Sequence, residues 1–247
     1  MPAADNGTLY PNAVELKHYV SGELNYTAYY DKSTFTSMWT AYPLESKHIG
    51  SGDKSSWYFN TELDTTYQVD LRESSYANST YSRGHLIPNA SRNGISEMQK
   101  QTYYVTNSVP QVQNSFKNVI WSAREGALQT IAKNGTKLYI VTGVAFKKGD
   151  ESESVSYIKA KDDTKNIPIP NYFYKLVLKV TTNNSGSVTS ATTCGFWFEN
   201  KAYSNNTYTE HTVSVDQVEE WTGFNFFANL PDSIEQTAET NSSWSKF

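Results

Sequence analysis

Short runs of aromatic and β-branched residues, separated by polar loops, dominate the hydrophobic pattern of this chain. Such runs predict β-strands, and they occur at residues 16–42, 102–106, 137–144, 172–180 and 193–198. Two further segments predict helices: residues 118–131, whose apolar positions recur at roughly helical spacing, and residues 214–227, which begin with the candidate capping residues Ser214 and Asp216. The pattern therefore predicts an α+β fold.

Polar stretches separate these elements without dividing the chain into domains. They are a leader at 1–15, expected to be flexible, loops at 46–56 and 73–84, insertions at 147–166 and 182–190, and a polar tail at 233–247, expected to be frayed. No internal repeat and no linker separates two halves. We therefore expect a single domain over residues 16–232, built on a mixed, mainly antiparallel sheet with helices.

Composition narrows the classes of protein to which the chain can belong. Of its 247 residues, 38% are hydrophobic and 14% are aromatic, which is enough to bury a sizeable core and excludes a disordered chain. No run of 18 apolar residues occurs, so we expect no membrane span. The formal net charge of −4 counts against a protein that coats nucleic acid by charge alone. An enzyme needs positive charge only at its cleft, so the same charge excludes an enzyme less strongly.

The single cysteine, Cys194, excludes an internal disulfide and leaves the redox compartment open. The chain is rich in Tyr, Asn, Ser and Thr and poor in Arg, and we expect a secreted protein, extracellular or periplasmic. Its first residues form no apolar signal-peptide core, so a cytosolic location is the alternative. The oligomeric state is not predicted by any feature of the sequence.

One motif suits catalysis on a phosphate group. Residues 82–88 read SRGHLIP. Gly84 lets the backbone approach a bulky anion, Arg83 can bind phosphate in a fork, and His85 can take a proton from water near neutral pH. An isolated Arg-Gly-His tripeptide more often marks an ordinary surface histidine, so the motif requires support from another segment.

A second segment gives that support. Residues 107–111 read NSVPQ, and they precede the amides Asn114 and Asn118 and the carboxylate Glu125. Amide and carboxylate oxygens, together with water, suit Mg²⁺, a hard ion that keeps much of its hydration shell. The alternative is a capped amphipathic helix with Trp121 in the core and Glu125 in solvent.

Together the two segments resemble the hallmarks of the DNA/RNA non-specific endonuclease family, whose members contain a ββα-metal, or His-Me finger, active-site motif. The first hallmark reads Asp-Arg-Gly-His, then an apolar pair and Pro. The second reads Asn-x-x-Pro-Gln, followed by Asn, Trp and Glu. The resemblance continues at residues 16–19, 39–42, 141–146, 167–175 and 219–227, and therefore covers nearly the whole chain. It implies a ββα-metal motif within the single α+β domain.

The resemblance also implies an activity, the hydrolysis of phosphodiester bonds in DNA and RNA with little sequence or sugar specificity. His85 would be the general base that activates water, and Arg83, Glu125 and Asn107 would be the other catalytic residues. Asn118 would hold one divalent ion, Mg²⁺, with Mn²⁺ as the alternative.

Basic residues would hold the nucleic acid, and we expect these to be Arg83, Arg92 and Lys117. Two positions near the motifs depart from the family pattern. Ser82 stands where the family has Asp, and Arg124 stands where it has Leu.

A third departure concerns the metal ligand. The family's ligand Asn lies four residues before the Trp, and that position is Lys117, with Asn118 one residue late and Asn114 three early. The spacing of ten from Gln111 to Trp121 is about one longer than the family pattern. Either a local shift lets Asn118 replace the usual ligand, or the Lys117 ammonium lies where the ion would lie and supplies its charge.

Two other functions compete with a nuclease. One is a catalytically impaired relative that binds nucleic acid without cutting it. The other is a secreted structural or interaction domain, which would leave the pairing of His85 with Glu125 unexplained. The remaining histidines, His18, His48 and His211, are expected to be structural or surface residues.

Overall fold

The computed structural model describes residues 8–247, and its largest element is a seven-stranded antiparallel sheet. The strands are β1 (Ala13–Val20), β2 (Glu23–Asp31), β3 (Thr36–Leu44), β4 (Tyr81–His85), β5 (Ser108–Val112), β6 (Leu138–Ala145), β7 (Tyr157–Ile158), β8 (Ile167–Pro168), β9 (Tyr172–Thr182), β10 (Val188–Glu199) and β11 (Thr212–Val213). The helices are α1 (Ser96–Gln101), α2 (Ser122–Lys133), α3 (Val215–Thr222) and α4 (Asp232–Glu239), and a π-helical segment, Gln113–Trp121, leads directly into α2. The predicted α+β class is confirmed.

The large sheet has the order β1-β2-β3-β6-β9-β10-β11. Its central strands β3, β6 and β9 are buried almost continuously along much of their length, as expected where other elements cover both faces of a sheet. Close packing at the centre depends on Gly143, because a side chain there would collide with the ring of Tyr174 on the neighbouring strand. The predicted strands at 137–144, 172–180 and 193–198 all lie within this sheet or at its ends.

A separate hairpin and the long helix form a β-β-helix unit. β4 and β5 pair antiparallel, with Arg83 opposite Pro110 and His85 opposite Ser108. Gly84 is required between them because a Cβ at this position would lie 2.6 Å from the Cβ of Gln111. The π-helical segment and α2 follow β5 without a loop, which is the order of elements that the sequence resemblance implied.

Two sequence predictions within this region are wrong. Residues 102–106 do not form a strand: Tyr104 makes one isolated bridge to Tyr58, and a 3₁₀ turn follows at Val105–Asn107. Most of the aromatic and β-branched side chains of this segment are buried by packing, which explains a strand-like composition in a segment that pairs with no strand. The long helix begins at Gln113, five residues before the predicted start at residue 118.

The ends of the domain are more ordered than predicted. β1 begins at Ala13, inside the expected leader, and the rest of that leader up to residue 7 lies outside the described residues. After Pro231 the chain forms α4, which packs on β10 instead of fraying. Thr193 donates a hydrogen bond to the Ala238 carbonyl, and Asn241 donates one to the Thr193 carbonyl, so the end of α4 is fixed to the sheet.

Arg124, at the position where the family pattern has Leu, lies on α2 and is buried in the core of the domain. Its side chain is completely buried, and its guanidinium carbon lies 3.9 Å from the ring centroids of both Phe196 and Trp244. Burial lowers the pKa of Arg124 to about 9. The two aromatic faces provide the favourable contacts that a cation loses with water, and Trp244 belongs to the tail that was expected to be frayed.

A second, smaller core lies beside β4 and includes Trp57, Val69, Leu71, Tyr76 and Tyr103. It supports the outer edge of the hairpin, and two of its aromatic residues contact the candidate site. In the range 8–247, no helix has both the length and the apolar character needed to cross a bilayer.

Candidate active site

The β-β-helix unit borders an open cleft of about 580 Å³. Five predicted site residues line it: His85 and Arg83 from β4, Lys117 and Asn118 from the π-helical segment, and Glu125 from α2. The two sequence motifs therefore meet at one place in the fold.

His85 ends β4 between two aromatic rings. Its ring centroid lies 4.6 Å from that of Trp57 and 5.0 Å from that of Tyr103, and the second contact is edge-to-face. The Nε2 atom is buried and has no hydrogen-bond partner among residues 8–247. Burial, with the nearby charges of Lys117 and Arg83, lowers the pKa of His85 to about 3. The imidazole is therefore neutral at neutral pH and can accept a proton.

Arg83 is held at the side of the cleft by backbone carbonyls. Its Nη1 atom donates to the Leu71 carbonyl at 2.7 Å, with longer contacts to the carbonyls of Arg72 and Ser74. The guanidinium lies 5.1 Å from the Trp57 ring centroid. Its other two nitrogens form no hydrogen bond within the described part of the chain, so they can bind an anion that enters the cleft.

Glu125 is held from behind by a buried lysine. Its Oε1 atom lies 3.9 Å from the Nζ atom of Lys175, which is buried on β9 and donates to Thr142 at 2.7 Å. The Glu125 side chain is 17% exposed. Burial raises the pKa of Glu125, whereas Lys175 and Lys117 act in the opposite direction. Burial also lowers the pKa of Lys175 to about 8.

The charge of Lys117 acts on both His85 and Glu125. Its ammonium donates to the Arg83 carbonyl at 3.4 Å, and burial lowers its pKa. The same ammonium charge adds to the lowering of the His85 pKa and opposes the rise of the Glu125 pKa. A single cation in the cleft therefore influences the candidate base and the candidate carboxylate together.

The π-helical geometry explains how neighbouring residues both reach the cleft. The amide of Ser122 donates to the carbonyl of Lys117, five residues earlier, where an α-helix would use the residue four earlier. This wider turn accommodates the one extra residue between Gln111 and Trp121 and keeps Trp121 in the core. Asn118 is exposed at the cleft, next to the partly buried Lys117.

Asn107 is not brought to the cleft, which corrects its predicted catalytic role. The side chain is completely buried, accepts from the amide of Ile87, and donates to the carbonyls of Ile87 and Thr102. These hydrogen bonds fix the chain just after the His85 motif. Asn107 therefore positions the motif without facing the cleft.

Arg92, which was predicted to bind substrate, also lies away from the cleft. Its guanidinium is completely buried and donates to the side chain and carbonyl of Asn25 and to the carbonyls of Ser91 and Pro43. It does not line the cleft. A basic residue close to the motif in sequence thus turns inward and ties the loop after β4 to β2 and β3.

The cleft residues that the sequence reasoning missed include Lys54, Trp57 and Tyr103. Lys54 and Trp57 come from a loop far from both motifs, and Tyr103 lies in the segment that was predicted to be a strand. A Trp at the end of a polar Ser- and Lys-containing loop was the one available signal. His18 and His48 are buried against Glu62 and Glu23, outside the cleft.

The chain is similar in sequence to known nucleases. A sequence model of the DNA/RNA non-specific endonuclease family matches residues 6–233. A nuclease from Nostoc sp. is 26% identical over 233 residues, which are 93% of this chain and 81% of the relative. Mitochondrial endonuclease G from Caenorhabditis elegans is 27% identical over 238 residues, which are 89% of this chain and 73% of the relative.

The fold is also shared with a solved structure. A chain in the crystal structure of the EndoG/EndoGI complex matches with a TM-score of 0.73 and 18% sequence identity, covering 94% of this chain and 95% of that one. At this identity the likeness shows a common fold.

Proposed function

Because this chain belongs to the DNA/RNA non-specific endonuclease family, as its hallmark segments predicted, we propose that it hydrolyses phosphodiester bonds in DNA and RNA with His85 as the general base. The observation that carries the proposal is the meeting of His85, Arg83, Lys117 and Glu125 in one cleft. An impaired binding protein or a structural domain would have no need to keep a neutral, unpartnered imidazole beside these charged groups.

In the proposed reaction His85 takes a proton from the attacking water. Burial, together with the two cations near it, makes the imidazole a weak base in the free enzyme. A bound phosphate would neutralise part of the charge of Arg83 and Lys117, so it would raise the basicity of His85 when substrate is present. The aromatic contacts with Trp57 and Tyr103 hold the ring in one orientation while the proton is transferred.

Charge within the cleft supports nucleic acid as the substrate. The lining includes three cationic residues, Lys54, Arg83 and Lys117, and one carboxylate, Glu125, although the chain as a whole has a net charge of −4. Positive charge confined to a cleft concentrates phosphate there and permits product release from an otherwise acidic surface. Contacts to phosphate carry no base information, so we propose cleavage of single-stranded DNA, double-stranded DNA and RNA alike.

The oxygen donors of the cleft fit a hydrated Mg²⁺ ion. Asn118 presents an exposed amide at the cleft, and Glu125 presents a carboxylate that Lys175 restrains. We propose that Asn118 holds the ion and that Glu125 accepts hydrogen bonds from ordered water, with Mn²⁺ as a substitute. The ion would supply positive charge to the phosphate and to the departing oxygen.

Lys117 provides a competing source of that charge. Its ammonium acts on both His85 and Glu125, and it is more buried than the Asn118 amide. Under this second candidate mechanism the lysine stabilises the phosphate directly, and activity does not require a divalent ion. The two mechanisms share His85 and Arg83 and differ only in the cation.

Nicking of supercoiled plasmid tests both the role of His85 and the need for a divalent ion. His85→Ala should lower the rate by about 10²–10⁴-fold, the usual contribution of a positioned general base, and leave DNA binding intact. A variant with near-normal turnover would refute His85 as the base. With EDTA, or in Asn118→Ala, activity should fall to a similar low level if the ion is essential.

Lys117→Asn separates the two cation mechanisms. If Asn118 holds the ion, Lys117→Asn keeps its Mg²⁺ dependence and loses only phosphate affinity. If Lys117 supplies the charge, the parent enzyme cuts in EDTA, and Lys117→Asn becomes Mg²⁺-dependent. Asn114→Ala, one turn earlier on the same helical segment and outside the cleft lining, is the matched control.

A further inference from the structure

A second cluster of ionisable groups lies outside the cleft, where α3 meets α4. Carboxylate oxygens of Asp216, Glu219 and Glu239 all lie within 4.8 Å of one another. Asp216 and Glu219 belong to α3, and Glu239 is the last residue of α4. None of the three lines the catalytic cleft. The cluster therefore joins two helices and is independent of the proposed reaction.

The three carboxylates of the cluster differ in exposure, from one in solvent to one that is buried. Asp216 is exposed, Glu219 is partly buried, and Glu239 is only 4% exposed. The Glu239 Oε1 atom is buried and has no hydrogen-bond partner among residues 8–247. A buried carboxylate oxygen without a partner is costly, and most such atoms in proteins have a partner, an ordered water or an ion.

Positive charge from the protein does not balance these carboxylates. No ion pair joins Asp216, Glu219 or Glu239 to a lysine, arginine or histidine in the part of the chain that is described. Among residues 8–247, the one hydrogen bond that a neighbour donates to the cluster runs from the amide of Phe226 to Glu219 Oε1 at 2.6 Å. Burial and the neighbouring carboxylates raise the pKa of Glu219 to about 7 and that of Glu239 to about 9.

The backbone around the cluster is fixed. Ser214 caps α3 by accepting from the amide of Gln217, and Gly223 ends that helix in the left-handed conformation at φ 75°. The end of α4 is tied to β10 through Thr193 and Asn241. The backbone positions of both helices are thus fixed before an ion binds, which reduces the ordering cost of binding.

We propose that Asp216, Glu219 and Glu239 bind one Ca²⁺ ion that links α3 to α4. Ca²⁺ takes about six to eight oxygens in flexible geometry, and carboxylates can bind it through one or two oxygens. Three carboxylates on two helices supply part of that set, and water completes it on the exposed side of Asp216. Mg²⁺ is a poorer match because it loses its water reluctantly and is rarely held by several carboxylates together.

Thermal unfolding of the full chain tests this site. The protein is first freed of ions with EDTA, and CaCl₂ is then added after the chelator has been removed. Binding to the folded state alone should raise Tm by roughly 5 °C or more at a hundredfold excess over the dissociation constant. An unchanged Tm, with no heat of Ca²⁺ binding in calorimetry, would overturn the proposal.

Three variants locate the ion. Glu239→Gln and Asp216→Asn should abolish the Ca²⁺-dependent rise, and Asp216→Asn alters an exposed residue. Glu220→Gln, an exposed charge change on the same helix, should keep the rise. Asn118→Ala removes the proposed cleft ligand and should also keep it. If Asn118→Ala loses the rise and Glu239→Gln keeps it, the ion lies in the cleft and the α3–α4 site is refuted.

Discussion

Trp57 should set the pH range of the enzyme through its contact with His85. The indole is 9% exposed and its ring centroid lies 4.6 Å from the imidazole, so it excludes water from one side of the ring. Burial is the largest cause of the low His85 pKa, which is about 3. Trp57→Ala admits water and should move that pKa up towards the ordinary value of about 6.5.

The sign of the effect follows from the proposed role of His85 as a base. Only neutral imidazole can accept the proton. A higher His85 pKa therefore lowers the fraction of active enzyme at low pH and leaves that fraction unchanged at high pH. If the pKa returned completely to about 6.5, about one tenth of the imidazole would be neutral at pH 5.5 and about nine tenths at pH 7.5. Lys117 and Arg83 still oppose protonation, so tenfold is the upper limit of the loss at pH 5.5.

The measurement is kcat/KM for plasmid or oligonucleotide cleavage between pH 5 and 8, because this ratio reports the pKa values of the free enzyme. The parent should be nearly flat over the acid half of this range, and Trp57→Ala should decline there. Trp57→Phe keeps an aromatic ring and should resemble the parent. Tyr58→Ala removes a neighbouring exposed ring outside the cleft and controls for general destabilisation.

Two outcomes would refute this reasoning. A Trp57→Ala profile identical in shape to that of the parent would show that the indole does not control the titration of His85. An equal loss at every pH would show that Trp57 acts through Arg83, which it also contacts at 5.1 Å, or through the substrate itself.

Two further predictions concern substrate range and stability. Arg83→Ala should slow cleavage of single-stranded DNA, double-stranded DNA and RNA by similar factors, measured as kcat/KM on each, and a loss confined to one substrate would show that Arg83 reads more than phosphate. Burial lowers the pKa of His18 to about 4, below its unfolded value of about 6.5, so its contribution to stability is complete above pH 6.5 and is lost as pH falls towards 4. This residue should lower the free energy of unfolding by roughly 2 kcal/mol at pH 5 relative to pH 8 in urea titrations, and an equally steep pH dependence in His18→Gln would contradict the assignment.

Local sequence predicted the parts of the site that lie within the two motifs. His85 and Arg83 on one strand, and Lys117, Asn118 and Glu125 along one helical stretch, have positions that spacing and pairing largely determine. The structure places all five in a single cleft. Their catalytic roles stay predictions until the variants are measured.

The remainder depended on packing between distant segments. Lys54 and Trp57 reach the cleft from a loop whose position is set by the second core, and no local pattern encodes that position. Arg92 and Asn107 were predicted to act in the site because they are polar and close to the motifs. Their side chains are instead used to satisfy buried backbone groups, a role that sequence spacing cannot distinguish from catalysis.

Two further segments were mispredicted because contacts distant in sequence determine their structure. Residues 102–106 have the composition of a strand, but the neighbouring chain offers Tyr104 only one bridge. The segment after Pro231 reads as a polar tail because its apolar contacts are few and long-range. Ala238 and Trp244 are among them, packed against β10 and Arg124 respectively.

The extra residue in the π-helical segment determines which side chains reach the cleft. Trp121 must stay in the core and Gln111 must stay in β5, so an extra residue between them can be absorbed only by widening a turn. Widening brings Lys117 and Asn118 to the cleft together, one as a partly buried cation and the other as an exposed amide. Deleting one residue from this segment should restore an α-helical turn and leave a single side chain facing Glu125. The identity of that side chain would then determine whether the enzyme needs a divalent ion.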